Sequence, residues 1–174
     1  MKRICSFVIA FCMLFSFAYA VDTMHSNERY PFISCGPFWF IPPNGFVLER
    51  SSTGDPIYTN ANGEMFMFHF TGGDTSHLIS ENHNQTLQNL EEIAERGIGK
   101  ELWAGALYAE KSGGCYKVGS LIKDDLRSFS IAALCPEGFL FVVSTPTNTS
   151  SGMDLAHGIF KTLSYQEYVR KFQE

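Results

Sequence analysis

Leu102–Glu110 (LWAGALYAE), Cys115–Ile122 (CYKVGSLI), Ser128–Cys135 (SFSIAALC) and Phe139–Thr145 (FLFVVST) are four apolar runs in close succession. Ser112-Gly113-Gly114 joins the first two, and glycine supplies the positive φ that a tight hairpin needs. Lys123-Asp124-Asp125 breaks the second run from the third. Pro136-Glu137-Gly138 turns the third into the fourth, with proline pre-set for the bend. Connections this short between consecutive strands predict an antiparallel meander. FLFVVS is apolar on both faces, which places it centrally in the sheet.

Outward from that stretch the pattern changes to a helical period. Met153, Leu155, Ala156, Ile159, Phe160 and Leu163 form one stripe, predicting a helix over 151–163 capped by Ser150 or Ser151, with Asp154 near its positive end. His157 lies beside that stripe and reads as a boundary residue. Upstream, Leu87, Leu90, Ile93 and Ala94 predict a second helix near 86–96, capped by Thr86 or Asn84 and closed by Gly97. The fold class is therefore α+β: an antiparallel meander over 102–145 sandwiched with helices near 86–96 and 151–163. Before it, Pro31–Ile41 (PFISCGPFWFI) reads as one aromatic edge strand, Phe46–Glu49 as a short strand, and Ile57–Thr59 and Glu64–Phe70 as a hairpin around Asn62-Gly63. The tail from Ser164 reads either as a short helix or as an edge strand beginning at Thr162–Tyr165.

Met1 to Ala20 carries Lys2 and Arg3, an apolar run and then Ala18-Tyr19-Ala20, the pattern of a secretory signal peptide cleaved near Ala20. An uncleaved anchor fits less well, because the apolar core of about 15 residues falls short of the roughly 20 a spanning helix needs. The expected location is periplasmic or secreted, with residues 21–174 as one domain and no membrane span after cleavage. Cleavage takes two bases and no acids, leaving 11 bases against 18 acids, a formal −7. That charge disfavours nucleic acid or an anionic membrane as the main partner. Cys35, Cys115 and Cys135 remain, and an exported chain permits disulfides. A turn centred on Asp125 sets Cys115 opposite Cys135 on neighbouring strands, which predicts a Cys115–Cys135 bridge and an unbridged, buried Cys35. A register shift of one residue would remove that opposition.

Two stretches carry candidate chemistry. In Glu64–Phe70 the alternation is strict, with Phe66, Phe68 and Phe70 on one face and Met65, Met67 and His69 on the other. Thioether and imidazole suit copper(I), so Met65, Met67, His69 and the nearby His77 form a candidate metal set. The bland reading is a strand buried on both faces under a helix, with methionine as core filler. Gly72–Gln85 (GGDTSHLISENHNQ) is the longest polar loop and offers Asp74, His77 and His83 as candidate binding residues. Their spacing matches no tight zinc motif, so solvated loop side chains are the competing reading. Catalytic and cofactor motifs are absent: there is no G-x-S-x-G, H-E-x-x-H, C-x-x-C or phosphate-cradling glycine loop. No catalytic residue and no cofactor is assigned. Asn84-Gln85-Thr86 and Asn148-Thr149-Ser150 are glycosylation sequons for a host that uses them.

The order of elements, with Ile41-Pro42-Pro43-Asn44-Gly45-Phe46 at its opening, resembles the PsbP-like α/β/α sandwich. That family includes photosystem subunits, secreted lipoproteins and partner-binding adaptors. The resemblance implies a central antiparallel sheet between helices and a binding scaffold rather than a reaction, and it transfers no site residue. In size, export and charge the chain also resembles periplasmic immunity proteins that plug a toxin's active site. The sequence thus reads as an exported protein-binding module with one protein partner, a toxin or effector enzyme, inhibited in the immunity manner. A periplasmic metal-handling protein is the rival, and a hydrolase stands third.

Overall fold

A computed structural model describes residues 22–25, 32–42, 45–50, 56–124, 128–146 and 150–165. Residues 1–20, Asn148 and the tail beyond Tyr165 lie outside them, so the signal peptide, the second sequon and the tail helix do too. Eleven strands and two α-helices occur among the described residues. The meander is present as β7 (Trp103–Ser112), β8 (Cys115–Ile122), β9 (Ser128–Cys135) and β10 (Gly138–Pro146), all antiparallel. β4 (Val47–Arg50), β5 (Pro56–Thr59) and β6 (Met65–Gly72) extend it through a β6–β10 pairing, giving one sheet in the order β4-β5-β6-β10-β9-β8-β7. β10 is thus central, as its two apolar faces require.

The reading of Pro31–Ile41 as one strand is corrected. It folds into two, β2 (Phe32–Cys35) and β3 (Phe38–Phe40), which with β1 (Asp22–His25) and β11 (Ser164–Tyr165) make a second, four-stranded sheet. Burial drives this arrangement: Ile33, Cys35, Phe38 and Phe40 all turn inward. Phe40 meets Phe66 edge-on at 5.6 Å, while Tyr58 stacks on Phe66 at 4.9 Å. Edge-on and stacked ring pairs of this kind add to what area burial alone supplies.

Helix α1 (His83–Ile98) starts earlier and ends later than 86–96. Asn82 caps it by accepting from the Asn84 amide, and Gly99, at φ 100°, ends it by donating to Glu95 O. Thr86 is no cap because it lies inside the helix, where it is fully buried and its hydroxyl accepts from Ser80 N at 2.8 Å. Helix α2 spans Ser150–Thr162, so Asp154 lies beyond its first turn. No helix among the described residues is long and apolar enough to cross a membrane.

The two faces of the large sheet are covered unequally. One carries α2 and the small sheet, and there Tyr58, Phe66, Phe68 and Phe70 are 0–7% exposed. The other carries α1, which among the described residues packs chiefly on β7, β8 and β9. A seven-stranded sheet is about 29 Å wide at the usual strand spacing, whereas a helix is about 10 Å across. One helix therefore covers fewer than half of the strands.

Candidate functional site

On the α1 face, β4, β5 and β6 lie beyond the strands on which α1 chiefly packs, and Phe141 and Val143 of β10 are still buried there. Registers place Val47, Thr59 and Met65 in one cross-strand row, Ile57, Met67 and Val143 in the next, then His69 with Phe141 and Thr71 with Phe139. Met65, Met67, His69, Ile57 and Phe139 are only half-buried, and Val47 is 56% exposed. The expectation that β6 is buried on both faces under a helix is therefore corrected. Its phenylalanines are buried, whereas its methionines and histidine are only partly so, because α1 packs chiefly on β7, β8 and β9, farther along the same face.

As a metal set, Met65, Met67 and His69 stand on one face at strand spacing, roughly 6.6 Å between successive same-face Cα atoms and 13 Å from first to last. Pairing of β6 with β5 and β10 keeps these side chains parallel rather than convergent. His77 lies past the end of β6, in the single 3₁₀ turn Ser76–Leu78. Among the described residues, no group of three or more His, Cys, Asp or Glu side chains is placed to hold a metal.

The polar loop borders this half-face and is held at many points. Gly73 N and Thr75 N donate to Glu137 O and Pro136 O of the β9–β10 turn, both at 3.0 Å, and the Thr75 hydroxyl donates to Cys135 O. Leu78 and Ile79 pack into the core under α1, and Asn89 Nδ2 donates to Leu78 O at 3.2 Å. Against that fixed backbone Asp74, Ser76, His77, Glu81 and Asn82 stay exposed. The Ser76 amide and hydroxyl hold the Asp74 carboxyl below its usual range, and neighbouring His77 adds a smaller pull in the same direction. Asp74 and His77 are thus adjacent, while His83 is anchored elsewhere: its Nδ1 lies 2.7 Å from Tyr116 Oη, and Lys111 Nζ reaches its Nε2 at 3.5 Å. His157 stacks on Tyr108 at 5.2 Å on the opposite face of the sheet, in keeping with a boundary role.

Lys117 is the residue that sequence reasoning missed. It is fully buried, donates to Phe160 O at 2.7 Å and Leu163 O at 3.2 Å, and lies 3.2 Å from Glu110 Oε1. It caps the C-terminus of α2 from within the sheet. The signal was in the alternation, since Cys115 and Gly119, two residues to either side, face the same core.

No family model matches the chain, and neither does any curated protein sequence. Among solved structures it is similar to cyanobacterial PsbP (CyanoP) from Synechocystis sp. PCC 6803, in solution, with a TM-score of 0.49 and 9% identity over 86% of this chain and 95% of that one. No residue's role is taken from that likeness.

Proposed function

We propose that the protein is an exported protein-binding module, an inhibitor of the immunity type that occludes a toxin or effector enzyme. The unequal covering of the sheet carries this reading. An apolar floor of exposed Val47 and partly buried Ile57, Met65, Met67 and Phe139, beside a fixed polar loop, is the kind of patch that marks an interaction surface. A loop already held by hydrogen bonds loses little entropy when it binds. With a formal −7 on residues 21–174 and Asp74 and Glu81 at the rim, the fitting partner presents an apolar anchor ringed by basic residues.

The test is to isolate a partner from secreted and neighbouring-cell fractions, then titrate it against two variants. Asp74→Ala/His77→Ala/His83→Ala and Met67→Asp should each weaken binding at least tenfold, about 1.4 kcal/mol, and should relieve inhibition of the partner's activity. If both leave affinity intact, the partner uses another face. If affinity survives while copper or divalent-metal binding disappears, metal handling is the better reading.

A further inference from the structure

Two tight turns meet at one end of the large sheet. The Gly113-Gly114 turn pairs Ser112 with Cys115, and the Pro136-Glu137 turn pairs Cys135 with Gly138. Each turn is two residues long, so each closing pair directs its backbone groups at one another. The β8–β9 register runs Tyr116↔Leu134, Lys117↔Ala133, Val118↔Ala132. One step further sets Cys115 opposite Cys135, with the backbone groups of both turned away from each other. That is the non-hydrogen-bonded kind of pair, in which facing Cα atoms approach to about 4.5 Å, inside the range a disulfide accepts. Both side chains enter the same core and are 0% and 1% exposed.

In the structure both are thiols, each turned toward its own hairpin: Cys115 Sγ to Ser112 O at 3.5 Å and Cys135 Sγ to Gly138 O at 3.6 Å. Rotation about each Cα–Cβ bond brings the sulfurs face to face. The two turns are also where other segments rest. Tyr165 N donates to Gly113 O at 2.7 Å, and its hydroxyl bonds Glu137 Oε1 at 2.5 Å. The root of the polar loop bonds Glu137 O and Pro136 O.

We propose that Cys115 and Cys135 form a cross-strand disulfide during export, a clamp that ties these two turns together and is sealed in once the sheet closes. The oxidant is a disulfide carrier acting by exchange. One cysteine thiolate attacks the carrier disulfide and releases one carrier thiolate. The second thiolate then attacks the mixed disulfide at the protein sulfur and releases the other, so two protein thiols are oxidised and one carrier disulfide is reduced to two thiols. Order matters, because burial pushes both folded thiols up to about 12 and hides them from any carrier. Oxidation therefore precedes closure.

The test refolds the mature chain in a reduced/oxidised glutathione buffer and in reductant alone. Trypsin cuts at Lys111, Lys117, Lys123 and Arg127, so Cys115 and Cys135 fall on different peptides. A non-reduced digest should show them linked, with Cys35 alkylated only after unfolding. The bond closes a loop of about 20 residues, so the oxidised form should melt roughly 6–12 °C above the reduced one. Reduced protein that is already folded should resist oxidation by the same buffer. A bridge containing Cys35, three thiols after oxidative refolding, or equal melting of the two forms would each overturn the proposal. If Cys115→Ala/Cys135→Ala fails to fold, Cys35→Ala, which keeps the pair, gives the same peptide map.

Discussion

Replacing Lys117 with methionine keeps most of its length and apolar contact while removing four interactions at once. The ammonium donates to Phe160 O and Leu163 O, lies 4.9 Å from the Phe160 ring centroid and pairs with half-exposed Glu110. Lys117→Met leaves two carbonyls at the end of α2 buried without this donor, at about 1–3 kcal/mol each. Against that, the folded state no longer has to hold a desolvated charge, which returns part of the loss. The expected net destabilisation is ~2–4 kcal/mol in urea unfolding, or a melting point lower by about 10 °C. Glu110→Gln should cost under ~1 kcal/mol, since that pair is open to solvent. Were the two variants equally destabilised, the ion pair and not the helix cap would be the main contribution. Were Lys117→Met as stable as the parent, the capping argument would fail.

The Ser112 hydroxyl first, and Lys117 after it, lower the Glu110 pKa. Its contribution is therefore present above the ordinary glutamate range and lost as pH falls through the lowered folded value; the gap between parent and Glu110→Gln should close in acid, and a gap that widens there would contradict this. Gly113 sits at φ 58°, and a Cβ there would come within 2.9 Å of the Ser164 backbone; Gly113→Ala should cost roughly 1–3 kcal/mol and loosen β11, read as faster amide exchange at Tyr165. Asp74→Ala/His77→Ala/His83→Ala should hold the melting point nearly constant, because exposed polar changes cost about 0.5 kcal/mol or less; a drop above about 5 °C would make the His83–Tyr116 contact structural. N-terminal sequencing of the exported protein should begin at Val21.

What could be read in advance was whatever is encoded within a few residues. Glycine and proline turns at 113–114 and 136–138 specify the hairpins of the meander. The β8–β9 register, with Leu121 opposite Phe129, is the one that sets Cys115 against Cys135, while residues 125–127 lie outside the described residues. The second sheet was not legible, because its strands are two to four residues long and one pairing joins Phe38 to Tyr165, about 125 residues apart. So short a strand has no period of its own; it forms because Ile33, Phe38 and Phe40 need Phe66, Phe68 and Phe70 as a floor. The candidate surface was harder still. Alternation in β6 states which side chains share a face, yet it cannot say whether that face is covered, since cover depends on where α1 lands on a sheet nearly three times its width. Lys117 shows the same logic inverted: a lysine in a strand reads as solvated until two carbonyls of a distant helix end are seen to meet it. Local chemistry thus sets the faces, and the stacking of layers decides which of them stays open to a partner.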